Sequence, residues 1–301
     1  MKPLLRAISY AAFAAAVLSM ATAVLAETNA EVEKRLQQDF AGATLFLRSS
    51  LLGDKLQFDS EGRSENTENG PWTLGAVIAI HDIHFTDSAI EMEGERVWLL
   101  YETKQKKFRS ASRFGSNRRG SEILPADPRE ARRFDNKKLA KNNRVHVTIL
   151  RPPGEPNQQA VLDSMWRVFL SQSTELSEAV PGYWRKLIRG LEGKREELPA
   201  PSGEKVFSCL EKGVTPPKPI YQPDPEYTEA ARKSKYQAVV VLSCVVTREG
   251  KVSDIAIERP AGLGLDERAV DSVRTWKFEP GKKNGEGVPV KIQVEVEFHL
   301  Y

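Results

Sequence analysis

The alternation of apolar and polar residues is most regular at the end of the chain, where it predicts a long β-strand. From Val288 to Leu300 every even-numbered residue is apolar, and the odd-numbered residues are polar apart from Pro289. A period of two places successive side chains on opposite faces of a strand. We therefore expect one buried face and one solvated face. The solvated positions are Lys291, Gln293, Glu295 and Glu297.

The positions before this strand predict a helix, two strands and a second helix. The Asp, Pro and Glu at 224–226 are typical of a helix start, because a capping Asp precedes Pro and an acid in the first turn. Residues 238–247 are apolar on both faces, which indicates a covered strand, and a Gly-containing turn at 248–251 predicts a hairpin. Apolar residues then recur at helical spacing over 265–276. This order favours an α+β unit, an antiparallel sheet with two helices on one face.

Shorter apolar runs between turn signals predict a β-rich domain in the first half of the chain. The runs lie at 44–47, 55–58, 72–83, 96–101 and 145–150. A charged helix is expected before them at 29–40, and Glu93-Gly94 is one of the predicted turns. From residue 158 the spacing becomes helical, and we expect a pair of helices, with Trp184 in the second, to pack on the sheet.

The first 26 residues predict export from the cytoplasm. Lys2 and Arg6 precede an uncharged, Ala-rich stretch that ends with Val24 and Ala26, small residues that a signal peptidase accepts. An uncleaved membrane anchor is the alternative, since about 20 apolar residues span a bilayer. The predicted organisation is a signal peptide or anchor at 1–26, a β-rich domain with C-terminal helices at 27–191, a linker at 192–214 and a C-terminal domain at 215–301.

Composition and charge give no general case for nucleic-acid binding. The chain has 44 Lys and Arg against 41 Asp and Glu, a net charge of +3. The segment 104–144 is a local exception, because it holds fourteen basic and four acidic residues. It is either a solvated loop or a surface attracted to anionic lipid, cell-wall polymer or an acidic partner.

No residue pattern indicates catalysis. The chain has neither a Gly-x-Ser-x-Gly elbow nor a Walker motif, and the glycines at 262–264 lack the third Gly of a dinucleotide loop. His81 and His84 would point to opposite faces of a strand, so they cannot share a metal ion unless a bulge intervenes. We predict that the chain is not an enzyme and has no cofactor and no metal site.

Cys209 and Cys244 are the two cysteines of the chain. An oxidising compartment and an even number of thiols favour a disulfide between them. Such a bond would join the segment before the Pro-rich residues 215–225 to the strand at 238–247. Two separate buried thiols are the alternative.

The chain from residue 215 onward carries several short motifs in a fixed order. They are Pro223-Asp224-Pro225-Glu226-Tyr227, Gly250, Gly264-Leu265-Asp266-Glu267-Arg268-Ala269, Trp276-Lys277-Phe278-Glu279-Pro280, Gly287-Val288-Pro289-Val290 and Phe298. This series resembles the TonB C-terminal domain family. Two positions depart from the family pattern: Pro225 precedes Tyr227 where the family has Tyr-Pro, and Ala238 stands where Gly commonly opens the first long strand. The family's long Pro- and Lys-rich spacer is replaced by the β-rich region, which we assign to no family.

The resemblance implies a periplasmic module that binds the short N-terminal box of an outer-membrane TonB-dependent transporter. It also implies coupling to inner-membrane motor proteins if the chain is anchored. Binding by strand addition would use an open sheet edge, for which the final strand is the natural candidate. The predicted partner-binding residues are Lys291, Ile292, Gln293, Val294, Glu295, Val296, Glu297, Pro223 and Tyr227. An edge covered by a second copy of the chain, in a homodimer, is the alternative to a free edge.

The sequence thus predicts a non-enzymatic, TonB-like periplasmic protein associated with energy-coupled transport across the outer membrane. Two other functions stay open. One is a cell-envelope adaptor or scaffold held by the basic segment. The other is an enzyme within residues 42–190 that uses the TonB-like domain for docking.

Overall fold

The computed structural model describes residues 28–64, 68–103, 105–110, 143–151, 158–171, 173–194 and 205–300. The helices of these ranges are α1 (Asn29–Phe40), α2 (Trp72–Gly75), α3 (Gln158–Val168), α4 (Leu176–Ala179), α5 (Gly182–Leu191), α6 (Glu229–Lys233) and α7 (Leu265–Thr275). The strands are β1 (Thr44–Phe46), β2 (Lys55–Phe58), β3 (Val77–Phe85), β4 (Ala89–Arg96), β5 (Leu99–Glu102), β6 (Lys107–Ser110), β7 (Arg144–Leu150), β8 (Phe207–Ser208), β9 (Val214–Thr215), β10 (Lys218–Tyr221), β11 (Ala238–Val246), β12 (Val252–Arg259), β13 (Lys277–Glu279), β14 (Lys282–Lys283), β15 (Glu286–Gly287) and β16 (Val290–Phe298).

Three predictions fall wholly or largely outside the described residues. The signal peptide or anchor at 1–26 is one of them. The others are most of the basic segment, at 111–142, and residues 195–204 of the predicted linker.

The chain divides into two compact units. Within the described residues, the first unit holds 28–98, Ser110 and 143–175, and the second holds 99–109 and 176–300. The two predicted helices of the β-rich domain therefore separate, because α3 belongs to the first unit and α5 to the second. The predicted domain limits stay a prediction.

The first unit is a five-stranded sheet in the order β1-β3-β4-β7-β2. The pairs are antiparallel except β7 with β2, which is parallel. Helix α1 packs on β3 and buries one apolar stripe, and α3 adds a second stripe to the same core. The buried members of the two stripes are Val32, Leu36, Phe40, Val161, Met165 and Val168.

Two of the predicted elements in the first unit are wrong in detail. The run 72–83 is not one strand, since Trp72–Gly75 form the short helix α2 before β3 begins. Gly94 does not form a turn but lies inside β4, where an added Cβ would come within 2.4 Å of the Ala79 carbonyl oxygen. The turn falls earlier, at Thr86, whose backbone N–H donates to Ala89 O at 2.9 Å.

The second unit is built on a four-stranded sheet in the order β12-β11-β16-β8. Strand β11 pairs antiparallel with β12 on one side and with β16 on the other. Helix α7 packs on both β12 and β11 and buries Leu265, Ala269, Val270 and Val273. The predicted α+β order of helix, strand, strand, helix, strand is confirmed.

Helix α6 begins later than the Asp-Pro-Glu signal at 224–226 predicts. Its N-cap is Thr228, whose hydroxyl accepts from the Ala231 N–H at 3.2 Å. The same hydroxyl donates to Leu263 O at 2.7 Å, so the cap also joins α6 to the loop before α7. A long-range bond of this kind leaves no trace in local sequence.

The second unit also includes residues from the middle of the chain. Leu263 N–H donates to Leu99 O at 2.9 Å, and Tyr101 N–H donates to Ala261 O at 3.1 Å. Helix α5 packs on β12, where Lys186 forms an ion pair with Glu258. The helix carrying Trp184 thus packs on the C-terminal sheet and not on the β-rich one.

Candidate functional site at an open sheet edge

Strand β16 is paired along its whole length on one side and at only two residues on the other. Its antiparallel ladder with β11 runs without a register shift from Val246↔Val290 to Ala238↔Phe298. On the outer side, the two-residue strand β8 pairs in parallel with Val290 and Lys291. Among the described strands, none pairs with the outer side of 292–298.

Hydrogen bonds at the two sides of the sheet identify which backbone groups face outward. Phe207 N–H donates to Pro289 O at 2.9 Å, so residue 289 points its carbonyl away from β11. At the other side, Thr247 N–H donates to Lys251 O at 2.8 Å, so odd-numbered residues of β11 point toward β12. The even-numbered residues of β11 therefore point toward β16. They exchange hydrogen bonds with the even-numbered residues of β16 that lie directly opposite them. The outward N–H and C=O groups of the open segment belong to Gln293, Glu295 and Glu297.

The side chains along the open segment alternate as the sequence predicts. Lys291, Gln293, Glu295 and Glu297 are exposed. On the other face Val290, Val296 and Phe298 are buried, whereas Ile292 and Val294 are only half-buried. The centre of the edge thus presents two aliphatic side chains that the chain's own packing covers incompletely.

Two acidic side chains dominate the exposed face of the edge. Glu295 lies 3.6 Å from the Arg259 guanidinium, and its side chain is 62% exposed. Glu297 Oε2 lies 2.8 Å from His299 Nε2, and the Glu297 side chain is 59% exposed. Both carboxylates are therefore accessible to a further cation. Exposed ion pairs of this kind also contribute little to stability.

Tyr227 is the other predicted site residue that the fold brings to β16. Its ring packs edge-on against the Phe298 ring at 5.4 Å. Burial raises the pKa of Tyr227 to about 12, and its hydroxyl has no hydrogen-bond partner among the described residues. Pro223 is held elsewhere, since its carbonyl accepts from Ser272 Oγ of α7 at 2.8 Å.

Comparison with known proteins gives a match at this part of the chain. The family model described as the Gram-negative bacterial TonB protein C-terminal matches residues 223–300. The matched residues make up about a quarter of the chain, and we call them its TonB C-terminal domain. The open edge of β16 and the Tyr227 contact lie within this matched segment.

Relatives match over 77 to 82 residues, about the length of this domain. Protein tonB2 of Pseudomonas aeruginosa is 29% identical over 82 residues, 27% of this chain and 30% of that protein. Protein TonB of Xanthomonas campestris pv. campestris, in each of two strains, is 32% identical over 77 residues, 25% of this chain and 34% of that protein. The chain therefore spans about a third of the length of the relatives it matches. A solution NMR structure of the Pseudomonas aeruginosa TonB CTD matches with 18% identity and a TM-score of 0.24, over 33% of this chain and 99% of that one.

Strand β8, next to the TonB C-terminal domain, is a feature that the sequence does not predict. Phe207 and Ser208 lie in the predicted linker, and they pair with the start of β16. After Ser208 a turn closes, because Glu211 N–H donates to Ser208 O at 3.0 Å. The one sequence signal for this contact is Phe207, an aromatic residue in a mostly polar segment. In the structure, the Lys205 and Lys283 ammonium groups lie 4.9 and 4.4 Å from the centre of its ring.

The predicted disulfide is wrong. Both cysteines are free, with Cys209 exposed and Cys244 buried. Cys209 lies in the turn after β8, whereas Cys244 lies opposite Ile292 inside the ladder of β11 with β16. Burial raises the pKa of the Cys244 thiol to about 12, which makes it unreactive.

Nothing in the described ranges gathers metal ligands or spans a bilayer. No group of three or more His, Cys, Asp or Glu side chains that could hold a metal ion occurs among those residues. No described helix is both long and apolar enough to cross a membrane. His81 and His84 face different carboxylates, Glu95 at 3.9 Å and Glu33 at 3.8 Å respectively.

Proposed function

We propose that this chain is a TonB-like periplasmic protein that binds the N-terminal peptide of an outer-membrane TonB-dependent transporter by strand addition, in support of energy-coupled transport. The open outer edge of β16 in a TonB C-terminal domain carries this proposal. The activity proposed for the whole protein rests on similarity to about a third of the length of each relative. The proposal assigns no catalytic activity to the TonB C-terminal domain.

The backbone of the edge is suited to an added strand. Gln293, Glu295 and Glu297 offer alternating outward donors and acceptors, the arrangement that an extended peptide pairs with. The half-buried Ile292 and Val294 lie on one face of this segment, so apolar side chains of an added strand would cover them. Side-chain contacts of this kind give selectivity to an interaction whose affinity comes from main-chain hydrogen bonds.

The decisive variant is Gln293→Pro in the full chain. Proline removes an outward N–H and leaves the ladder with β11 intact, because that ladder uses the even-numbered residues. We expect fluorescence anisotropy with peptides from the periplasmic N-termini of outer-membrane transporters to show at least about a tenfold loss of affinity.

Gln293→Ala is the matched control, since it shortens the same side chain and keeps the N–H. We expect it to bind like the wild type. Circular dichroism of both variants checks that the fold is retained. Equal affinity of Gln293→Pro and the wild type for these peptides would overturn strand addition at this edge.

The cellular location follows from the proposed partner and is tested separately. A transporter peptide and the TonB C-terminal domain meet in the periplasm, to which the predicted segment 1–26 would direct the chain. Mass spectrometry of the protein isolated from cells distinguishes an N-terminus at Glu27, expected for an exported adaptor, from an intact N-terminus, expected for an anchored transducer.

A further inference from the structure

We propose that the open edge of β16 selects an extended peptide in which cationic and apolar side chains alternate. The cationic side chains would face Glu295 and Glu297, and the apolar ones would cover Ile292 and Val294. This inference rests on the proposed function, because it names the chemistry of the strand that this edge would accept.

The alternation follows from the geometry of sheet pairing. Side chains of directly opposed residues lie on the same face, with their Cβ atoms about 4.5–5.5 Å apart. A strand added to 292–298 therefore places alternate side chains beside Glu295 and Glu297 on the exposed face. The side chains between them fall beside Ile292 and Val294 on the other face. This pattern is the same whether the added strand runs parallel or antiparallel.

Charge complementarity identifies the side chains on the exposed face. Opposite charges on opposed strands stabilise a sheet, whereas like charges destabilise it. The Arg259 and His299 partners of the two carboxylates are themselves 44% and 55% exposed, so they do not shield the carboxylates from a neighbouring strand. The two acidic positions lie toward the end of the open segment, and Lys291, which pairs with β8, lies just before it.

The same charges disfavour a second copy of this chain at the edge. An antiparallel pairing of two copies of 292–298 about its centre brings Glu295 of each copy beside the other. Acidic residues on an exposed edge are a known means of preventing such self-pairing.

Strand β8 limits the register of the added strand. It occupies Val290 and Lys291, and the turn at Ser208 then carries the chain away from the edge. An incoming strand has room only beside 292–298. The segment that it can pair with therefore includes both acidic residues and both half-buried aliphatic ones.

The test uses the full chain and three labelled peptides that share an alternating Val frame. The residues between the valines are Lys in the first peptide, Gln in the second and Glu in the third. We expect the Lys peptide to bind more tightly than the Gln peptide, and the Glu peptide more weakly, by about twofold to thirtyfold from Lys to Gln for two opposed pairs. The chain has a net charge of +3, so unspecific attraction would favour the Glu peptide.

A double variant, Glu295→Gln with Glu297→Gln, is expected to abolish the preference for Lys. The matched control is Glu286→Gln, which neutralises an exposed carboxylate on β15 and should leave the preference unchanged. The preference should also weaken from about 0.05 M to about 0.5 M salt, because exposed charges are screened.

The outcomes separate this inference from the proposed function. Equal affinities for the Lys and Gln peptides, with both lost in Gln293→Pro, would overturn the charge selection and leave strand addition standing. No binding of the three peptides would overturn this inference alone. No binding of the transporter peptides either, or binding that Gln293→Pro does not affect, would overturn both. A Lys preference that survives the double variant would place the cation elsewhere and overturn the inference.

Discussion

The indole N–H of Trp184 donates to Glu267 Oε1 at 3.0 Å, in a contact buried within the second unit. Trp184 lies on α5 and Glu267 in the first turn of α7, 83 residues apart in sequence. The ring of Trp184 is fully buried and also meets the Phe108 ring at 5.7 Å. A residue outside the family match thus anchors the main helix of the TonB C-terminal domain.

Replacing Trp184 by Phe should destabilise the second unit by about 1–3 kcal/mol. The variant keeps an aromatic ring and removes the N–H that Glu267 accepts. Hydrogen exchange of α7 measures the effect in the unit concerned. Trp166→Phe, on α3 of the first unit, is the control and should leave exchange of α7 unchanged. An unaltered α7 in Trp184→Phe would show that the hydrogen bond does not stabilise this unit.

A fragment of residues 176–301 should be more stable than a fragment of residues 205–301. The longer fragment retains α5, and with it the Trp184 contact and the ion pair of Lys186 with Glu258. Thermal unfolding by circular dichroism compares the two, and Trp184→Phe in the longer fragment should remove much of the difference. Coincident unfolding curves of the two fragments would contradict a stabilising role for α5.

Replacing Gly262 by Ala should destabilise the second unit by at least about 2 kcal/mol. Gly262 has a φ of +97°, and an added Cβ would lie 2.3 Å from Leu99 O and 2.7 Å from Leu100 Cα. Gly285→Ala is a matched control, since its φ is +88° and no atom lies within 4 Å of an added Cβ. Urea unfolding should show the larger loss for Gly262→Ala. Equal losses of unfolding free energy in the two variants would mean that contact with residues 99 and 100 does not contribute to the destabilisation.

One thiol of the native protein should react with Ellman's reagent near neutral pH. Cys209 is exposed, whereas burial raises the pKa of Cys244 to about 12 and withholds the reactive thiolate. Unfolding in denaturant should release the second thiol. Cys209→Ser should abolish the native reaction, and Cys244→Ser should leave it unchanged. An intact mass lower by two hydrogens, with no native reaction, would instead restore the disulfide.

The contribution of Asp266 to the stability of the second unit should fall as the pH rises above about 4. Burial, and next the neighbouring charge of Glu267, raise the pKa of Asp266 above its ordinary value of 3.8, although the N–H groups of Ala261 and Gly262 oppose the shift. The folded protein therefore holds a proton that the unfolded chain releases between the two pKa values. This contribution is present below the unfolded pKa and is lost as the pH rises through the folded one.

Asp266→Asn tests this dependence, because Asn does not titrate. The difference in unfolding free energy between the wild type and the variant, measured by urea unfolding from pH 4 upward, should shrink as the pH rises. Asn also places an NH2 donor where one of the two Asp266 oxygens accepts from the Ala261 or Gly262 N–H. The variant should therefore be less stable than the wild type at every pH. A difference that stays constant with pH would exclude a titration of Asp266 in this range.

Local patterns in the sequence were sufficient for β11, β12, α7 and β16 of the TonB C-terminal domain. Strict alternation at 290–298 predicts β16 and its solvated residues, and a Gly turn at 250 predicts the hairpin of β11 and β12. These signals are short in range, since side-chain period and turn geometry depend on neighbouring residues. The order of the motifs likewise indicates the family from the sequence alone.

Only the tertiary structure decided which elements meet. Strand β8 occupies the start of the edge, α5 packs on β12 and not on the β-rich sheet, and Leu99 bonds to Leu263. The even number of cysteines favours a disulfide, but Cys209 lies in an exposed turn and Cys244 in the buried ladder of β11 with β16. Each of these contacts links residues far apart in sequence, and their pairing depends on the packing of whole elements, which no local period encodes.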